Sequence, residues 1–469
     1  MEKIRTKIIC TIGPASWDPD VMKGMIEAGM NVARVNGAFA DTEELDKVAK
    51  LVRDVSDDVA LMVDVKGPEI RLNKFPGPVQ INPEDEVIIG SSADELIYPA
   101  NYPDLYKYVS EGQKIILGDG DVQLVVKGVH MGKMLCEVVF GHIIKPGASL
   151  NVPGCEYSKE ILTDKDKQNL KHAIETGLDI VSVSFIRNVE SARFINEFIG
   201  DSQMKLIAKI EDEEGVNNID QILREVSGIM IARGGLGVEM GLAKIPLVQD
   251  VLIKRLNEAG LPVVTATQML ESMTKNPRPT RAEATDVTNA ILQGTDAVML
   301  SGESAMGKYP VESVKVLAEI ARETEDSIDP KIVEGRAEAP LTTDAIAKAA
   351  AGVCINMKEG LDAVIVVSKT GTTARLLSRH NIKQPVFAFT SSEIYKRGLM
   401  LSKGISQAFL FKGMDGEECK YDRDCGIKTI LDIALKEGIV HRGQKILFLG
   451  KTPVDKVEYF PNLFEIVRI

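Results

Sequence analysis

Eight times along this chain a short, nearly unbroken apolar run ends in polar or charged residues. The runs are residues 7–13, 31–36, 59–66, 180–185, 206–209, 228–232, 262–267 and 297–300, and amphipathic helical stretches separate most of them. The first such helix spans residues 18–29, with Val21, Met25 and Ile26 on one side and Gly29 as its stop. Strands that are apolar on both faces and alternate with helices belong to a parallel sheet covered on both sides. Eight of them, with no Gly-x-Gly-x-x-Gly after the first, predict a (β/α)8 TIM barrel rather than a doubly wound sheet.

The alternation is interrupted once and followed by a third unit. From Leu72 to Pro153 the helical pattern disappears, and short runs such as residues 114–117 and 135–140 sit between Gly, Pro and Asp clusters. That composition predicts an inserted antiparallel β-barrel lid over the barrel mouth. The alternation resumes at Thr163-Asp164, a predicted helix cap. Beyond Pro340, helix and strand patterns at 343–357, 363–367, 373–380, 386–389, 408–411 and 445–449 predict a C-terminal α/β domain. The expected bounds are barrel 1–71 and 154–340, lid 72–153, and C-terminal domain 341–469.

Composition narrows the function. Across 469 residues the net charge is −12, which argues against nonspecific nucleic-acid binding. No apolar run is long enough to span a bilayer, and the N-terminus lacks the apolar core of a secretion signal. Six scattered cysteines lack metal-ligand spacing, with Cys419 and Cys425 the nearest pair, so reduced thiols and a cytoplasmic location are expected.

A parallel barrel presents its chemistry where the strands end. Thr11, Arg34, Asn36, Asp64, Lys66, Arg71, Ser184, Arg187, Lys209, Glu211, Arg233, Thr267, Gln268 and Ser301 should therefore converge at one mouth. Residues two apart in a strand share a face, so Lys209 and Glu211 project together. Several cations around two inward carboxylates suit a polyanionic, metal-bridged substrate, with phosphate the natural candidate. Gly234 and Gly235 precede a helix-like segment whose backbone N–H groups can hold an anion, although a plain turn reads equally well.

These motifs resemble the pyruvate kinase family. The likeness rests on KIICTIGPAS at 7–16, MNVARVN at 30–36, DVKGPEIR at 64–71, NVPG at 151–154, SFIR at 184–187, AKIEDEEGV at 208–216, ATQMLESM at 266–273, RPTRAE at 278–283 and MLSGESAMGKYP at 299–310. It runs in order along the whole chain and implies transfer of the phosphoryl group of phosphoenolpyruvate to ADP, giving pyruvate and ATP. It further implies a Mg2+ or Mn2+ ion held by Glu211, and Lys209 stabilising the transferring phosphoryl and serving protonation of the enolate. Arg34 would grip that phosphoryl group, and Thr267 would lie on the proton-transfer side. Arg71, Lys66, Asn36, Gly234, Gly235 and Ser301 would serve the nucleotide and phosphates, with Asn36 and Asp64 at a K+ site. A homotetramer is implied as well.

The departures from the family concentrate on metal, potassium and nucleotide. The family's ARGDLG loop carries a metal-binding aspartate where this chain has Gly235, and its NFSHG reads Asn36-Gly37-Ala38-Phe39-Ala40 here. Val65 stands where a threonine is usual, and Ala148 where a lysine is. Two alternatives to the kinase therefore stay open: a catalytically weak regulatory paralogue, and a metal-assisted enolate enzyme such as an oxaloacetate decarboxylase. In the C-terminal domain, Ser368, Lys369, Thr370, Gly371, Thr372 and Thr373 form a hydroxyl-rich turn before a helix. The turn suits an effector phosphate and, equally, an ordinary capped turn. In the family it resembles the allosteric phosphate pocket.

Overall fold

Alternation along each strand decides which side chains face the interior. The computed structural model describes residues 4–90, 97–118, 120–155, 160–335, 338–357, 360–411, 423–450 and 463–469. Ile9, Val32, Met62, Ile180, Ile207, Met230 and Val264 share one buried cluster, while their neighbours Ile8, Ala33, Val63, Val181, Leu206, Ile229 and Val263 belong to another with the helices. The strands Lys7–Thr11, Met30–Asn36, Ala60–Val65, Ile180–Val183, Lys205–Ile210, Gly228–Ala232, Val263–Ala266 and Ala297–Leu300 close into a barrel. Each lies parallel to the next, and the last pairs with the first.

Local chemistry sets the boundaries. Asp18 accepts the N–H groups of Asp20 and Val21 and starts the helix Pro19–Ala28, which Gly29 ends at φ 123°. Thr163 and Asp166 form a reciprocal capping box that opens the helix Asp164–Glu175. The fourth and seventh strands stop earlier than their sequence pattern predicts. Phe185, Thr267 and Gln268 take left-handed φ values of 56°, 69° and 53° there, turning the chain at the mouth.

The insertion is a six-stranded sheet in the order Leu150–Asn151, Lys114–Leu117, Val122–His130, Lys133–Phe140, Glu86–Gly90 and Ile97–Pro99. Its pairings are antiparallel except the last, which is parallel and departs from the expected pattern. Arg71 bridges Ser149 beside one edge, and Leu72 bridges Ala100 beside the other, so the entering segment joins the two edges.

The C-terminal unit is a five-stranded sheet ordered Ile405–Leu410, Val386–Thr390, Ala363–Val367, Lys445–Gly450 and Leu463–Arg468. The last strand, antiparallel at the edge, is one the sequence reading leaves out. Leu399, Met400 and Leu401 join the same buried cluster as the barrel interior, so this unit packs on the barrel floor. Cys10, Cys136, Cys155 and Cys354 are free thiols, as expected, whereas the side chains of Cys419 and Cys425 lie outside the described residues. No helix among the described residues is long and apolar enough to cross a membrane.

Candidate active site

Strand five delivers the centre of the site. Its inward face runs Lys205, Ile207, Lys209, with Glu211 just past its end, so an apolar residue fills the barrel and charge appears at the mouth. Lys209 Nζ donates to Ser184 Oγ at 2.6 Å and lies 3.2 Å from both Asp64 Oδ1 and Glu211 Oε1. On the opposite wall, Arg34 Nε and one terminal nitrogen both reach Asp64 Oδ2 at 2.9 Å. Another Arg34 nitrogen donates to Thr11 Oγ1 at 2.8 Å, and that hydroxyl donates to Leu300 O. Buried Arg34, half-buried Lys209 and two buried carboxylates thus form one continuous network.

The charges set each other's protonation. Burial opposes ionisation of Asp64, but Arg34 and Lys209 outweigh it and hold the carboxyl below its ordinary value. Burial disfavours the Lys209 cation, yet Asp64 and Glu211 raise its pKa above the usual lysine value. Glu211 moves up instead, chiefly through burial, with Asp64 and Asp212 adding to the effect of losing water. The site therefore retains a cationic lysine beside a carboxyl that gains from any further positive charge.

These residues line a cavity of about 220 Å3 together with Asn36, Lys66, Gly234 and Gly235. Gly118, Ser149 and Asn151 of the insertion line it as well, which places the lid at the mouth. Other predicted residues lie outside it. Arg71 is held by Glu69 at 2.7 Å and donates to Gly147 O at 2.7 Å. Arg187 is paired with Asp212, and Arg233 with Asp286 at 2.6 Å. Arg233 also donates to the carbonyls of Ala266 and Thr267 and holds the left-handed turn in place. Thr267 Oγ1 donates to Ala266 O and accepts the Gly234 N–H at 3.1 Å, so it braces the glycine-bearing helix Arg233–Met240. The Ser301 N–H is taken by Glu303, whose other oxygen accepts the Leu270 N–H at 3.0 Å. Fully buried Glu303, within the motif SGES, is a tether that the sequence reading missed.

Two glycines permit close approaches. A Cβ on Gly37 would meet Asp64 O at 2.8 Å, the same oxygen that accepts the Gly37 N–H. A Cβ on Gly235 would lie 3.0 Å from Glu211 Cβ, and Gly235 sits within helix rather than in the left-handed region. The missing carboxylate thus leaves helix backbone packed directly on Glu211. Glu239, one turn further along, lines the same cavity and was not singled out in the sequence. Among the described residues, no group of three or more His, Cys, Asp or Glu side chains is arranged to hold a metal ion.

Lys165, also unforeseen, donates to the carbonyls of Ala38 and Phe39 at 3.1 and 3.2 Å, and Phe39 stands 81% exposed at the rim. In the C-terminal loop, Ser368 Oγ accepts the Thr373 N–H at 3.3 Å and the hydroxyls of Thr370 and Thr372 pair at 2.9 Å. The Lys369 carbonyl accepts from Ser391, and Gly371 turns at φ 79°. The helix begins at Thr372, one residue earlier than predicted.

Comparison with known proteins places this geometry. Residues 3–314 match the model of the pyruvate kinase barrel domain, and residues 344–467 that of the pyruvate kinase alpha/beta domain. The pyruvate kinase of Geobacillus stearothermophilus is 38% identical over 96% of this chain and 78% of its own length. That of Clostridium acetobutylicum is 37% identical over 96% and 97% of the two chains. The crystal structure of a pyruvate kinase from Cryptosporidium parvum superposes with a TM-score of 0.89 at 32% identity, covering 99% of this chain and 96% of its own. With its barrel and its C-terminal domain both matched and the likeness spanning nearly the whole length, the chain belongs to the pyruvate kinase family.

Proposed function

We propose that this chain is a phosphotransferase of the pyruvate kinase type, moving the phosphoryl group of phosphoenolpyruvate to ADP in glycolysis. The observation that carries this reading is the cationic Lys209 held between Ser184, Asp64 and Glu211, with Arg34 across the same cavity. Phosphoryl transfer asks little covalent work of a protein, and depends on positioning and cancellation of charge. Arg34 and Lys209 would face the transferring phosphoryl, and Lys209 would serve the proton added to the enolate of pyruvate. Thr267 would act by holding the Gly234 backbone. Lys66 and Arg71 would meet phosphates of the nucleotide, once released from Glu69.

The donor chemistry fits a divalent cation shared with the substrate. Glu211 offers a buried carboxyl that gains from added positive charge, and Mg2+ or Mn2+ would supply charge neutralisation there. A monovalent cation fits poorly. Ala38 and Val65 bring no side-chain oxygen, Asn36 Oδ1 accepts the Ala38 N–H, and both Asp64 oxygens are occupied by cations. Turnover should accordingly change little when potassium is replaced by tetramethylammonium. Activity strictly requiring added potassium would contradict this reading of the site.

A coupled assay with phosphoenolpyruvate, ADP and magnesium tests the function, and pyruvate formation dependent on ADP is the expected result. Pyruvate released from oxaloacetate without ADP would favour the decarboxylase, and no turnover would favour the regulatory paralogue. We assign the lid to 72–153, the barrel to 1–71 and 154–340, and the C-terminal domain to 341–469, with a cytoplasmic location. We propose self-assembly as a homotetramer; Leu247 and Val251, exposed one turn apart on the helix Ile245–Ala259, support self-association as such. Ser368 to Thr373 are proposed to take an effector phosphate. Replacing Thr372 and Thr373 together by Glu should abolish activation by phosphorylated metabolites while basal turnover persists, and unchanged activation would place the effector elsewhere.

A further inference from the structure

Two cations that have no carboxylate contact among the described residues line one cavity at the barrel floor. Lys205 opens strand five on its inward face, at the end opposite Lys209, and Arg375 reaches it from the helix Thr372–Ser378 of the C-terminal domain. Lys205 Nζ lies 4.3 Å from the centre of the Tyr395 ring and has no carboxylate partner among the described residues. Its stem runs along Gly398, where a Cβ would meet Lys205 Cγ at 3.2 Å, so the glycine makes room for it. Arg375 Nε donates to Gly260 O at 2.7 Å, and its two terminal nitrogens have no hydrogen-bond acceptor among the described residues.

The nearest negative influence is Asp296, which is already engaged. It accepts the Val263 and Lys403 N–H groups and feels the Lys403 cation more strongly than Arg375. Burial followed by the charge of Arg375 pulls Lys205 down to about 8, and burial pulls Arg375 down to about 10. Half-buried like charges lining one cavity repel each other unless something compensates them. Both line one cavity of about 20 Å3 with Thr370, Tyr395 and Ser402. A water needs roughly 10–15 Å3, so the enclosed space suits one guest of about that size.

We propose that a single small inorganic anion of halide size binds between Lys205 and Arg375, bridging the barrel floor to the C-terminal domain. It would accept from the Lys205 ammonium and the free guanidinium nitrogens of Arg375, across the surface where the two domains meet. The site is separate from the barrel mouth and stands whether or not the catalytic assignment does.

Bromide is the probe. Crystals of the full chain soaked in sodium bromide should show an anomalous peak in contact with both Lys205 and Arg375. In solution, bromide replacing methanesulfonate at constant ionic strength should raise the unfolding temperature of the wild type in a saturable way. Lys205→Met should weaken the apparent bromide affinity by about tenfold or more, as expected for loss of one charge-assisted contact. Absence of the peak at high bromide would overturn the proposal, as would an identical bromide response in Lys205→Met. Stabilisation by phosphate without any by bromide would overturn the halide size. Because the diffraction experiment uses the wild type, a variant that fails to fold does not decide the matter.

Discussion

Lys209→Met should lower turnover by about 10²–10³-fold while the KM for phosphoenolpyruvate changes only a few-fold. The methionine fills nearly the same space, so the barrel interior stays packed, but the cation facing the transferring charge is gone. An interaction that strengthens as charge develops appears in kcat rather than in ground-state affinity. Without the lysine, Asp64 retains Arg34 as its buried partner, whereas Glu211 loses the countercharge that opposes its upward pKa shift. Steady-state kinetics on a variant shown to be folded is the test. Turnover near that of the wild type would remove Lys209 from the mechanism.

The second large effect belongs to Gly235. The wild type offers one carboxylate from strand five, so divalent metal should bind weakly to the free protein and strengthen sharply once phosphoenolpyruvate is present. Gly235→Asp should tighten Mn2+ binding to the free protein by about tenfold or more, roughly 1.4 kcal/mol. A glycine is also the residue that a left-handed backbone favours, where aspartate is strained. Its helical position removes that obstacle and substitutes another. A Cβ there meets Glu211 Cβ at 3.0 Å and Glu211 O at 3.3 Å, so the neighbour must yield by a few tenths of an ångström. The added carboxylate would also repel Glu211 until metal arrives. Gly235→Ala carries the steric cost without the charge and should gain no metal affinity. Manganese titrations of the wild type and both variants, with and without substrate, separate the two effects. Tight binding by the substrate-free wild type would mean that another carboxylate already fills the gap, and Glu239 in the same cavity would be the first to replace.

The barrel was readable because strand burial and helix amphipathicity are local, periodic properties. The convergence of Arg34, Asp64, Lys209 and Glu211 was readable for the same reason, since alternate residues on a strand share a face. Pairing across the fold was not. Arg71, Arg187 and Arg233 look equivalent to Arg34 in sequence, yet Glu69, Asp212 and Asp286 engage them, and none of the three arginines lines the cavity. Arg233 and Asp286 are 53 positions apart, and nothing in the spacing announces their contact. The overrun at Phe185 and Thr267 has a different origin: apolar and β-branched residues favour strand, while neighbouring loops impose a left-handed turn. Glu303 escaped notice because a fully buried carboxylate is inferred only once its N–H donors are known.

The way the chain enters and leaves the insertion has a mechanical consequence. Arg71 and Leu72 act as the stave that joins the two margins of the lid, and Leu150 N–H is bonded to Ile70 O at the exit. Inbound and outbound segments are therefore woven into the body they carry. Any swing of that body relative to the barrel must be absorbed outside this weave, where Gly67 and Gly154 sit at φ 67° and 73°. Were the insertion to swing, those two glycines would serve as its joints, and stiffening Gly154 would slow that motion without touching the residues of the cavity.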